Sequence, residues 1–178
     1  MERLVFLDES SINLGMTRLY GWGERSARVE DYVPDVRFER RSIIMCARLS
    51  GIVAPVCFEG TLNGDFFRAY VEQALAPALQ CGDIVVLDNS AVHRAKGVLD
   101  ALYEKGVIVL FLPPYSPDLN PIELVFSKMK AFLRKSRAKS HDELQKALAL
   151  AIDTISHSDR QNFFAHHGYL LSHTHVIV

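Results

Sequence analysis

Cysteine is scarce in this sequence, and what there is does not pair. Cys46, Cys57 and Cys81 lie far apart, with no C-x-x-C and no even-numbered framework. That spacing argues against disulfides and cysteine-bound zinc, and it implies a reducing compartment. Long apolar runs are missing too, since no stretch approaches the roughly 18 residues that a membrane-spanning helix needs. The N-terminus, Met1-Glu2-Arg3-Leu4, lacks the layout of a secretory signal. A cytoplasmic protein with no membrane partner is the expectation. Excess charge is also lacking: a net charge of -1 at pH 7 argues against a whole surface built for indiscriminate nucleic-acid binding. The C-terminal histidines (His157, His166, His167, His173 and His175) lack the carboxylate or cysteine spacing of a zinc site.

What is present is ordinary for a globular chain. The 178 residues are 49% hydrophobic and 23% charged, with no repeat, low-complexity tract or linker, so residues 1–178 read as a single domain. Leu4-Val5-Phe6-Leu7 is a short strand ended by Asp8. Ile43–Ala47 and Ile52–Phe58 flank Ser50-Gly51 and read as a hairpin, with Pro55 marking an edge or a bulge. Asn63 can cap a helix whose apolar stripe is Phe66, Phe67, Tyr70, Val71, Ala74 and Leu75. Ile84–Leu87, ended by Asp88, and Val107–Leu112 are apolar on both faces, as buried parallel strands would be, with a modest helix over 95–103 between them. The C-terminal third is helical: one helix starts at Asn120-Pro121, another at the capping box Ser140–Glu143, and a short third at Ser158. The fold expected is α/β, a mixed five-stranded sheet flanked by helices, with Asp8 and Asp88 at strand ends where such sheets place ligands.

The run Pro113-Pro114-Tyr115-Ser116-Pro117-Asp118-Leu119-Asn120-Pro121-Ile122-Glu123 is a rigid turn that delivers Glu123 to a helix start, with thirty-four residues separating it from Asp88. Three carboxylates so placed suit two-metal phosphoryl transfer, which needs ionised acids on rigid elements and no nucleophilic side chain. Each has a rival reading. Asp8 and Asp88 could be turn residues, and Glu123 could bond back to Asn120 in a capping box. Glu9 is set aside, because strand alternation turns it away from Asp8. His93 either touches substrate phosphate or holds the Asp88 turn. Lys128 to Lys139 holds six basic residues and no acid. At about 100° per residue, Lys130 and Arg134 fall in the row of Glu123 and would track a DNA backbone, the rival being a solvated helix face.

These stretches resemble a known family. Phe6–Ser10, Arg18–Trp22, Asn63–Phe67, Val86–Asn89 with His93, and Leu112–Glu123 are similar to the catalytic domain of DDE transposases, in the bacterial insertion-sequence branch related to mariner elements. The resemblance spans about residues 3–170 and implies a ribonuclease-H-like fold. It implies that Asp8, Asp88 and Glu123 hold two Mg²⁺ ions (Mn²⁺ as substitute), with Asp8 bridging both. The reaction implied is cleavage of element ends and transfer of the 3′-hydroxyl to target double-stranded DNA. Trp22, Arg25, Asn89, His93, Lys130 and Arg134 are the DNA-contact candidates, and a homodimer on DNA is implied. Gly21-Trp22-Gly23-Glu24-Arg25-Ser26 departs from the family's Gly-x-x-Pro-Arg-Gly in lacking the proline. The family's N-terminal helix-turn-helix modules have no counterpart here, so the expectation is that another reading frame or chain supplies DNA recognition. Two other readings remain open: a truncated, non-catalytic transposase that inhibits or pairs with the full enzyme, and a stand-alone nuclease of this fold.

Overall fold

In the computed structural model, residues 2–18, 20–30 and 40–169 are described, so the expectations for His173, His175 and the tail from Ser172 lie outside them. Five strands form one sheet: β1 (Leu4–Ile12), β2 (Arg41–Arg48), β3 (Gly51–Glu59), β4 (Ile84–Leu87) and β5 (Ile108–Phe111), in the order β3-β2-β1-β4-β5. β1, β2 and β3 are antiparallel neighbours, whereas β1–β4 and β4–β5 are parallel. The mixed five-stranded sheet is therefore as expected.

β3 is an edge strand, and its proline explains its irregularity. Register slips between the Ile44 and Cys46 pairings, where Ala54 and Pro55 intrude and Ala54 takes φ 48°. Proline has no N–H to give to a ladder, so a bulge on an edge is where it fits.

Strand alternation separates two cores. Phe6, Ile43, Met45 and Val86 face α4 (Ile122–Ser136), α5 (His141–Asp153) and α6 (His157–His166). Val5, Leu7, Ile44, Val85 and Leu87 face α1 (Gly64–Tyr70), which runs through a π-helical turn (Val71–Leu75) into α2 (Ala76–Ala78). Phe6, at 0% exposure, meets Phe164 edge-on with ring centroids 5.3 Å apart. Burying each such side chain contributes about 1.5–3 kcal/mol. Asn63 caps α1 as expected, its Oδ1 accepting from Phe66 N at 2.9 Å.

Four expectations need correction. β1 does not stop at Asp8, because β2 keeps pairing its other side as far as Ile12. The helix expected over 95–103 is only α3 (Asp100–Glu104), since Gly97 sits at φ 76° in the left-handed region that interrupts a helix. β5 is not buried on both faces: Val109 packs against the α1-side core, whereas Ile108 is 51% and Leu110 49% exposed on the other face. α6 is capped by Ser156, two residues before the expected Ser158, because Ser156 and Asp159 make a reciprocal capping box.

Candidate active site

β1 pairs with β4 only as far as Phe6, so Asp8 projects just beyond the parallel ladder while still held by Met45 of β2. Asp88 follows the last residue of β4, and a backbone bond from Leu112 N to Leu87 O (2.8 Å) brings the start of the proline turn beside it. The turn continues through a 3₁₀ turn, Pro117–Leu119, into α4, whose first turn carries Glu123. Asp8, Asp88 and Glu123 thus reach one pocket of about 430 Å³, walled by Asn89, Ser90, Asn120 and the residues of the Leu112–Pro117 turn.

The three acids stand differently there. Burial raises the Asp8 carboxyl to about 7, against a bond donated by Glu9 N, and charge on Glu9, Glu123 and Asp88 adds to the rise. Asp88 is held below the ordinary carboxylate range, chiefly by His93, whose Nδ1 lies 2.6 Å from its Oδ1, with Ser90 N donating to the same oxygen at 3.0 Å. Its Oδ2 receives no hydrogen bond among the described residues. Glu123 is exposed. Among the described residues, no three His, Cys, Asp or Glu side chains converge tightly enough to hold one ion. Clustered like charges hold apart in this way, and Mg²⁺ takes only one or two protein carboxylates plus water and phosphate oxygens.

Sequence reasoning missed Asn120. It was expected only to cap α4, with Glu123 bonding back to it as the rival to a metal role for that acid; instead α4 has no side-chain cap, and Asn120 N donates to Pro117 O. The Asn120 side chain, 3% exposed, donates from Nδ2 to Asp8 Oδ2 at 3.0 Å, and its Oδ1 has no partner. An asparagine held within a proline turn and followed by an acid is the only local hint of this role. His93 is 0% exposed and lies behind Asp88 against the Phe67 ring, so the geometry is that of a residue holding the Asp88 turn.

The other candidates lie outside the pocket, apart from Asn89, which lines it and accepts from Arg94 at 2.9 Å. Trp22 (103% exposed) and Arg25 sit in the exposed stretch 20–30 after β1. Lys130 and Arg134 are half-buried on α4. Arg134 lines a separate groove of about 570 Å³ with Arg18, Tyr20, Phe132 and Lys135, while Lys128 in the same groove is paired with Asp159.

A mixed five-stranded sheet of this order, flanked by helices, is the ribonuclease-H-like fold. The chain belongs to the DDE superfamily endonucleases, whose family model matches residues 3–145. The Mos1 strand transfer complex is similar at a TM-score of 0.74 and 22% identity over 92% of this chain and 51% of that one. The Mos1 mariner paired-end complex with Mn gives 0.72 and 21% over 94% and 52%. The catalytic domain of Mos1 mariner transposase gives 0.62 and 18% over 96% and 85%. Human histone-lysine N-methyltransferase SETMAR is 36% identical over 76 residues, 42% of this chain. The chain spans 11% of that protein and about half of the Mos1 complex chains, so neither activity transfers with the likeness.

Proposed function

We propose that this chain is the catalytic domain of a DDE transposase, with residues 1–178 as one domain and Asp8, Asp88 and Glu123 holding two Mg²⁺ ions that Mn²⁺ can replace. The observation that carries the proposal is that three acids from three separate elements line one pocket. The donor set fits hard cations. Asp88 Oδ2 and Glu123 are free to ligate, and the proton that burial keeps on Asp8 up to about pH 7 would be displaced by a metal. When bound, such ions activate a water or 3′-hydroxyl and stabilise the oxygen that leaves the phosphodiester.

The chain's own residues do the rest. Asn120 fixes the Asp8 carboxylate, and the turn Pro113–Pro117 forms a stiff wall that limits how DNA enters. Lys130 and Arg134, in the Glu123 row, carry the backbone away from the pocket, with Trp22 and Arg25 reaching further along DNA or to a second copy. The protein is read as cytoplasmic and dimeric on element ends. No described helix is long and apolar enough to cross a membrane.

Asp88→Asn tests the reading: cleavage of a duplex with Mn²⁺ should fall about a thousandfold, or about 4 kcal/mol, with thermal unfolding still cooperative. Unchanged cleavage would sink the assignment. Cutting without joining would favour the stand-alone nuclease.

A further inference from the structure

Glu9, set aside because its side chain must point away from Asp8, has unusual surroundings. Alternation sends Asp8 to the α4 side of the sheet and Glu9 to the α1 side, where His93 is packed. His93 is completely buried, with its ring centroid 4.5 Å from that of Phe67. Its Nδ1 engages Asp88, and its Nε2 lies 3.7 Å from Glu9 Oε2. Both of these last atoms are buried, and neither has a hydrogen-bond partner. Two orphaned polar atoms aimed at each other form a hydrogen bond that a small rotation closes, and leaving them open is costly.

We infer that Glu9 and His93 are positioning residues that lock the Asp88 carboxylate in its metal-facing orientation. The inference rests on the proposed metal site. Asp88 is half-exposed, and its carboxylate could swing freely on a loop. His93 and Ser90 N both hold Oδ1, which leaves Oδ2 to face the pocket. Glu9 holds the far nitrogen of the imidazole and so fixes the ring plane. The same residue's N–H fixes Asp8 at 2.8 Å. One residue of β1 therefore sets the spacing of the two aspartates, one through its backbone and the other through His93. Partners behind a ligand of this kind are typically worth about 10–100-fold in metal affinity.

Mn²⁺ titration of the whole chain, followed by electron paramagnetic resonance, tests this without relying on catalysis. His93→Asn places an amide near Nδ1 but gives up the Glu9 contact, and should weaken Mn²⁺ binding less than His93→Gln does. His93→Gln places it near Nε2, and Glu9→Ala removes the outer partner; each should weaken binding about 10–100-fold. The double variant Glu9→Ala/His93→Gln should be no weaker than the weaker single one, because the two act in series. Thermal melts of each variant report on folding. Equal Mn²⁺ affinity in all folded variants, or equal loss in His93→Asn and His93→Gln, overturns the positioning role and leaves the metal site standing. No Mn²⁺ binding by the wild type overturns both.

Discussion

Replacing Asp8 with asparagine should stabilise the metal-free protein while destroying the site. Burial and neighbouring acids raise Asp8 from its ordinary 3.8 to about 7. Below pH 3.8 the group is protonated whether the chain is folded or not, and it imposes no penalty. Between pH 4 and 7 the unfolded chain ionises while the folded one keeps its proton, so folding stability falls as pH rises. Above pH 7 the loss is complete and flat. At 1.36 kcal/mol per pH unit the full loss is about 4 kcal/mol, and water entering an open pocket reduces this to about 2–4 kcal/mol. An amide does not titrate. Its NH₂ can meet the partnerless Oδ1 of Asn120 once that side chain flips, so the local bond survives. Asp8→Asn should therefore melt about 5–15 °C above the wild type at pH 8 without metal. The gap should close as pH falls toward 4, and excess Mn²⁺ should raise only the wild type. Differential scanning calorimetry from pH 4 to 8 reads all three. A variant no more stable at pH 8, or a gap independent of pH, would refute the claim that Asp8 is strained by its own charge.

Other outcomes follow from single contacts. Asn120→Ala removes a donor from Asp8, which disfavours its ionised form; the pH profile of Mn²⁺ binding should move alkaline by about one pH unit. Lys130→Ala and Arg134→Ala should each flatten the plot of log affinity for duplex DNA against log salt by about 0.9 while leaving sequence preference unchanged, as read by fluorescence anisotropy. Asn63→Ala deletes the α1 cap and should lower stability by about 1 kcal/mol, measured by urea denaturation, with no effect on metal binding.

Much of this architecture is legible in the residues, and the reasons differ from place to place. Pro55 announces an edge or a bulge, and both occur, because its missing N–H is a local property. Asp88 and Glu123 can be read because each is set by what immediately precedes it, a short apolar strand in one case and a proline turn in the other. Asn120 could not be read. Its amide meets a carboxylate 112 residues away, and nothing near it in the chain encodes that partner. Asp8 reads as a strand end because the apolar run stops there, whereas β1 continues under the control of β2. His93 and Glu9 are legible as residue types, but only the packing of Phe67 against the imidazole shows how they face each other. The burial of β5 was misread for the converse reason. An apolar run reports what a strand can pack against and not whether a neighbour is there.

That half-covered strand has a practical side. The outer edge of β5 carries no ladder among the described residues, and Ile108, Leu110 and Phe111 are 51%, 49% and 39% exposed beside it. A short apolar strand with open N–H and C=O groups is a template for adventitious sheet extension. Concentrated solutions of this chain should self-associate through that margin before they unfold. Leu110→Lys should keep them clear without touching the carboxylates, since Leu110 is not among the residues that line the pocket.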